Sequence, residues 1–148
     1  MTIPWEIIEK FNRGEELDTE EIKILFKAYP AILRFLGIDT VPTTSVIQLL
    51  YTKRVLGLKE QVMLFNVIWK IEHWLETEKT VNRQIWRDVY IDGKEYWQVA
   101  VDRLSKERPI SNIEKKDYAD LIYHRLKRMT HRFKNYLKKL RKNSCCAI

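Results

Sequence analysis

The chain has 148 residues, 45% hydrophobic and 32% charged, with only four Gly and four Pro, which indicates one globular domain with few turns and much regular structure. Its two cysteines, Cys145 and Cys146, are neighbours, which excludes a disulfide framework and a thiolate metal site, and no apolar run approaches the roughly 18 residues of a membrane span. The net charge of +7 is segregated: residues 1–120 carry 18 basic and 20 acidic side chains, whereas residues 121–148 carry nine Lys or Arg and no acidic side chain, a distribution that suggests a nucleic acid, an acidic protein partner or an anionic membrane.

From the N-terminus, Ile3–Asn12 reads as a short helix with Pro4 in its first turn, ended by Arg13-Gly14. Asp18-Thr19-Glu20-Glu21 has the form of a capping box. It opens a helix whose Ile22, Leu25, Phe26, Tyr29, Leu33 and Leu36 share one face. Pro30 must kink or split that helix, and Gly37 ends it. Pro42-Thr43-Thr44-Ser45 starts the next helix, to Gly57. In Leu58–Glu76 apolar residues go almost all round, with a narrow polar stripe through Asn66, Lys70 and His73; such a helix belongs at the centre of a bundle. Thr80–Asp88 reads as a short helix. Val89-Tyr90-Ile91 and Lys94-Glu95-Tyr96-Trp97 flank Asp92-Gly93, the pattern of a two-residue hairpin. Gln98–Arg108 returns to helix and Pro109 stops it. Ser111-Asn112-Ile113-Glu114 caps a last helix, to about Lys142. The expected fold is all-α: a compact helical bundle with one small β-hairpin over 88–97 and a long basic C-terminal helix. It forms a single domain over 1–142, with a frayed tail over 143–148. The N-terminus has no basic-then-apolar leader, so a cytoplasmic location without a membrane partner is expected.

The last helix carries the charge. Tyr118, Ile122, Leu126, Met129, Phe133, Tyr136 and Leu140 step by three and four, so with Leu137 they form one stripe of about 100°. All nine cations lie outside it, from Arg125, Arg128 and Arg132 to Lys142. One side is committed to packing, and the other presents cations without partners. Their mutual repulsion is a cost that bound phosphate relieves; the alternatives are a solvated surface helix, whose basic C-terminus suits the helix dipole without any ligand, and an acidic protein partner or membrane.

Several motifs bear on chemistry. His124, Arg128 and His131 share a stripe, and Arg125 to His131 has the Arg-x5-His spacing that resembles the active-site motif of the HEPN ribonucleases. There the pair polarises a phosphate for attack by a 2′-hydroxyl. Cys145-Cys146-Ala147-Ile148 has the form of a prenylation box, with an atypical second cysteine and terminal Ile. Trp86, Tyr90, Tyr96 and Trp97 are interleaved with Arg83, Arg87 and Lys94, a mixture able to stack bases and hold phosphates or, equally, to pack its rings on the bundle. Trp69 and Trp74 read as core. The carboxylates between Glu15 and Glu21 form a solvated turn and helix start, with no spacing suited to metal or acid–base work.

A series of landmarks runs in order along the chain: Tyr29-Pro30-Ala31-Ile32, Gly57-Leu58-Lys59-Glu60-Gln61-Val62, Lys79-Thr80 before Arg83-Gln84-Ile85, Tyr96 ahead of Ala100-Val101, and Pro109-Ile110-Ser111. Over about residues 29–112 this series resembles the C-terminal domain of the large subunit of archaeal and eukaryotic primases. The family's four cysteines are missing from the corresponding places, so the chain is similar to a relative without the iron–sulfur cluster, as in the small third subunit of some archaeal primases. The resemblance implies a non-catalytic accessory subunit that binds nucleotide and nucleic acid to support primer initiation. Its implied partners are the catalytic and large primase subunits, as a heterotrimer, with template DNA and the initiating nucleotide. No catalytic residue, metal or cofactor is implied. The candidate contacts are Thr43, Thr44, Lys53, Arg54, Lys79, Arg83, Gln84, Arg87 and Tyr96 in the body, with Arg125, Arg128 and Arg132 on the last helix as auxiliary contacts. The rival readings are a metal-free ribonuclease of the HEPN kind and a small basic interaction protein of another nucleic-acid machine.

Overall fold

The computed structural model describes residues 2–38, 59–104 and 115–146, and in the last of these the side chains of 116–142. The described residues form the helices α1 Trp5–Asn12, α2 Thr19–Lys27, α3 Tyr29–Phe35, α4 Lys59–Thr77, α5 Thr80–Tyr90, α6 Tyr96–Leu104 and α7 Lys115–Cys146.

Local chemistry sets the N-terminal boundaries. Gly14, at φ +76, turns the chain out of α1. Asp18 and Glu21 then make the expected capping box: the Glu21 backbone N–H donates to Asp18 Oδ1 at 2.8 Å, and the Asp18 N–H donates to Glu21 Oε1 at 3.2 Å. A cap of this kind contributes about 1 kcal/mol. The helix breaks at Ala28, and Pro30 falls in the first turn of α3, where its missing N–H costs nothing. The split at Pro30 therefore follows the sequence expectation.

The expected β-hairpin is absent; the described residues contain no strand. Val89 and Tyr90 instead extend the apolar stripe begun by Ile85 and Trp86, at helical spacing, so α5 continues to Tyr90. Asp92-Gly93 is still a turn, but one between helices. Gly93 alone takes the left-handed conformation, at φ +67, and the Lys94 N–H donates across it to the Asp88 carbonyl at 2.9 Å. This closure caps a helix C-terminus. Arg103 on α6 then grips the buried carboxylate of Asp88 with two hydrogen bonds, of 2.8 and 3.2 Å, and Lys94 Nζ stands 3.6 Å from it. The pairing fixes α6 back along α5.

The long helix α7 is the spine, packing on α2, α4, α5 and α6, whereas α4 packs chiefly on α1. Ile122, Leu126, Met129 and Phe133 of the expected stripe are fully or almost fully buried. Phe26 of α2 sits at the meeting point, with ring centroids 5.7 Å from Trp74, 5.2 Å from Trp86, 5.3 Å from Tyr90 and 5.3 Å from Phe133. One aromatic cluster thus joins α2, α4, α5 and α7, and such ring pairs add roughly 0.5–1.5 kcal/mol each beyond area burial. No helix among the described residues is long and apolar enough to cross a membrane.

Candidate functional site

Helix α7 has two basic flanks, one on each side of its buried stripe. Arg125, Arg128 and Arg132, spaced by three and four, lie on the flank toward the start of α5, and Lys134, Lys138 and Arg141 lie toward the α1–α2 turn. Lys127, Lys139 and Lys142 are exposed, as are His124 and His131.

The first flank closes a cavity of about 490 Å³ against the α4–α5 junction. Lys79, Arg125, Arg128 and Arg132 line it, with Glu78 and Asn82 between them. Lys79 is the N-cap of α5 and supplies no side-chain cap, so the first-turn N–H groups of α5 have no side-chain acceptor there. A helix start left open in this way, under a partial positive charge from the helix dipole, favours an anion. Four cations against one carboxylate leave the lining at a net +3.

The arginines are positioned by the residues of this junction. Arg132 holds Glu78 with Nη2 2.8 Å from Oε1 and Nε 3.0 Å from Oε2. Arg125 Nη1 donates to Asn82 Oδ1 at 3.2 Å, and Arg83 Nη2 donates to Thr80 Oγ1 at 3.1 Å. Arg128 and Lys79 are exposed on the rim and make no ion pair among the described residues.

The expectation that the outer cations stand without partners is corrected on both flanks. Glu78 takes Arg132, while Glu16 takes Lys134 at 3.7 Å and Lys138 at 3.5 Å. Arg141 Nη1 donates to the Gly14 carbonyl at 3.0 Å. The Lys138 ammonium, by its charge and then its hydrogen bond, and then the charge of Lys134, hold the Glu16 carboxyl below its ordinary range. These carboxylates lie more than 50 residues away in sequence, so the composition of α7 could not reveal them.

The remaining sequence candidates fall into three groups. Thr43, Thr44, Lys53 and Arg54 lie outside the described residues. Arg87 points inward: its Nη2 is 2.6 Å from Oε1 of Glu72, a carboxylate only 3% exposed that also accepts from the Tyr29 hydroxyl. Burial disfavours the Arg87 cation, and Glu72 outweighs that effect and raises its pKa; burial first, then Glu72, push the Tyr29 hydroxyl far above its ordinary range. Arg87 thus neutralises a core carboxylate. Gln84 is exposed on α5, and Tyr96 is half-buried against the core at the start of α6.

Base stacking is corrected for Trp86 and Tyr90, whereas Tyr96 and Trp97 are half-buried. Trp86 is fully buried and Tyr90 is 8% exposed, so both belong to the core. Arg125 and His131 do not converge: Arg125 reaches Asn82 in the cavity, whereas His131 is exposed about 120° further round the helix. Among the described residues no three His, Cys, Asp or Glu side chains gather to hold a metal.

Sequence reasoning missed Glu78 and Asn82. Their signal is positional: both flank the Lys79-Thr80 helix start, where a side chain meets whatever the first turn of the helix faces. The chain matches no family model, no curated protein and no solved structure.

Proposed function

We propose that the chain is a non-catalytic accessory subunit of a DNA primase that holds template DNA and the initiating nucleotide by their phosphates, at the cavity between α5 and α7. One observation carries the binding part of this reading: Lys79, Arg125, Arg128 and Arg132, from two elements far apart in sequence, converge on the uncapped start of α5. Arginine forks in a fixed arrangement suit phosphate oxygens, and the rim cations Lys79 and Arg128 are available to them.

The primase part rests on the resemblance across residues 29–112. Lys79-Thr80, one of its landmarks, is the junction that opens α5 and borders the cavity. On this reading the chain acts in the cytoplasm beside the catalytic and large subunits as a heterotrimer, and brings phosphate contacts rather than catalytic groups. The test is affinity purification of the tagged chain from its native cell, followed by primer synthesis with and without it. Recovery of both other subunits and a drop in primer initiation on its removal are expected. Recovery of neither subunit overturns the primase assignment.

A further inference from the structure

A second cavity lies on the other flank of α7, where the α1–α2 turn meets the C-terminal half of the helix. It encloses about 460 Å³, within the range of small-molecule sites. Phe11 and Leu17 on one side and Leu137 and Leu140 on the other give it apolar walls, and Lys70 of α4 enters between them.

Most charged groups of this cavity already have partners. Arg13 pairs with Glu15, Lys134 with Glu16, and Arg141 with the Gly14 carbonyl. Lys70 is the exception. It is half-buried, meets no carboxylate among the described residues, and has its Nζ 5.1 Å from the centroid of the Phe11 ring. Burial pushes its pKa below the ordinary lysine value, the mark of an ammonium that has lost water and gained no counter-charge.

An anion with an apolar body completes this arrangement. Its charge offsets the desolvation of Lys70, and its body covers the apolar walls. The walls are largely apolar, so a ligand with one negative charge and an apolar body is favoured over a fully hydrated phosphate dianion. We infer that this cavity binds an amphipathic carboxylate, an alkyl chain or ring with a single acid group, with the acid on Lys70 and the body between Phe11, Leu137 and Leu140. The site is separate from the phosphate cavity and independent of the primase reading.

Isothermal titration of the full chain with decanoate, decanol and inorganic phosphate tests this. Decanoate below its micellar concentration is expected to bind one to one, and decanol at least about tenfold more weakly, for want of the ion pair. Inorganic phosphate is expected not to displace decanoate. Lys70→Met should weaken decanoate by about tenfold or more and leave decanol unchanged. A second variant, Leu140→Gln, keeps the lysine and should weaken both ligands. Circular dichroism and DNA binding measured on the same samples report the fold and the other site. Failure of decanoate to bind, equal affinity for decanoate and decanol, displacement by phosphate, or an unchanged decanoate affinity in a folded Lys70→Met chain overturns the inference. Loss of DNA binding alone bears on the phosphate cavity and not on this one.

Discussion

Arg132 of α7 and Glu78, just before α5, face each other side-on at 2.8 and 3.0 Å across a cavity that three further cations line. The Glu78 side chain is 7% exposed and that of Arg132 43%, so the pair sits at the boundary between core and solvent. Its carboxylate occupies the guanidinium edge that a phosphate would otherwise use. Glu78→Gln is therefore expected to free Arg132 and tighten DNA binding roughly three- to tenfold at low salt, because one unit of like charge leaves the neighbourhood of the ligand. The stability cost should be about 1 kcal/mol or less, as for other partly exposed ion pairs. Fluorescence anisotropy with labelled single-stranded DNA, beside urea unfolding, measures both effects. Unchanged or weaker DNA binding in Glu78→Gln contradicts this role.

Much of the bundle was legible in the sequence, because helix starts and stops are local. The Asp18–Glu21 capping box, the break at Pro30 and the buried stripe of α7 all rest on spacing within a few residues. The hairpin reading failed on the ambiguity of Val89-Tyr90-Ile91, a short apolar run that suits a strand or the end of a helix. What decided it is tertiary: Trp86 and Tyr90 bury against Phe26, and Arg103 captures Asp88. The site was half legible for the same reason. Its cations announce themselves by composition, whereas the carboxylates that occupy some of them arrive from distant segments.

The turn itself offers a check. Gly93 has φ +67, and a Cβ there would meet nothing within 4 Å. Gly93→Ala should therefore cost only the backbone penalty of a left-handed residue, roughly 1–2 kcal/mol. Among the described residues no non-glycine has a positive φ, so Asp92 is unstrained, and Asp92→Ala should change stability by about 0.5 kcal/mol or less, as for ordinary surface positions. In the type I′ turn of an Asp-Gly hairpin both central residues would need the left-handed region. Thermal unfolding of the two variants distinguishes the arrangements: equal costs at both positions would speak for the hairpin.

The Tyr29–Glu72–Arg87 group makes a sharper structural prediction. Arg87→Met leaves Glu72 buried without its cation and should cost about 3 kcal/mol or more. Replacing both partners, as Glu72→Gln with Arg87→Met, should cost less than Arg87→Met alone, because no unpaired charge is left buried in this group. Chemical denaturation measures the difference. At temperatures where the single variant stays folded, its DNA affinity should match the unmutated chain, since Arg87 faces the core and not the cavity.

Glu16 ties the far end of α7 to the α1–α2 turn, and its carboxyl titrates lower in the folded chain than in the unfolded one. Its contribution is therefore fully present above the ordinary carboxylate range and is lost as pH falls through the lower folded value. Unfolding measured from about pH 6 down to about pH 3 should show Glu16→Gln less stable than the unmutated chain at the upper end, and the gap closing at the acid end. A gap that widens as pH falls reverses the expected sign.

The central claim is that phosphate binds the cavity where α7 meets the start of α5. The most direct measurement is the affinity for single-stranded DNA across a salt series, for the unmutated chain and for Lys79→Ala with Arg128→Ala, which removes the two rim cations that have no ion pair among the described residues. The logarithm of the binding constant should fall linearly with the logarithm of salt concentration. The double variant should bind at least about tenfold more weakly, with a slope flatter by roughly 1.4 for two lost phosphate contacts. An affinity that ignores salt, or a double variant with the same affinity and slope as the unmutated chain, contradicts the claim.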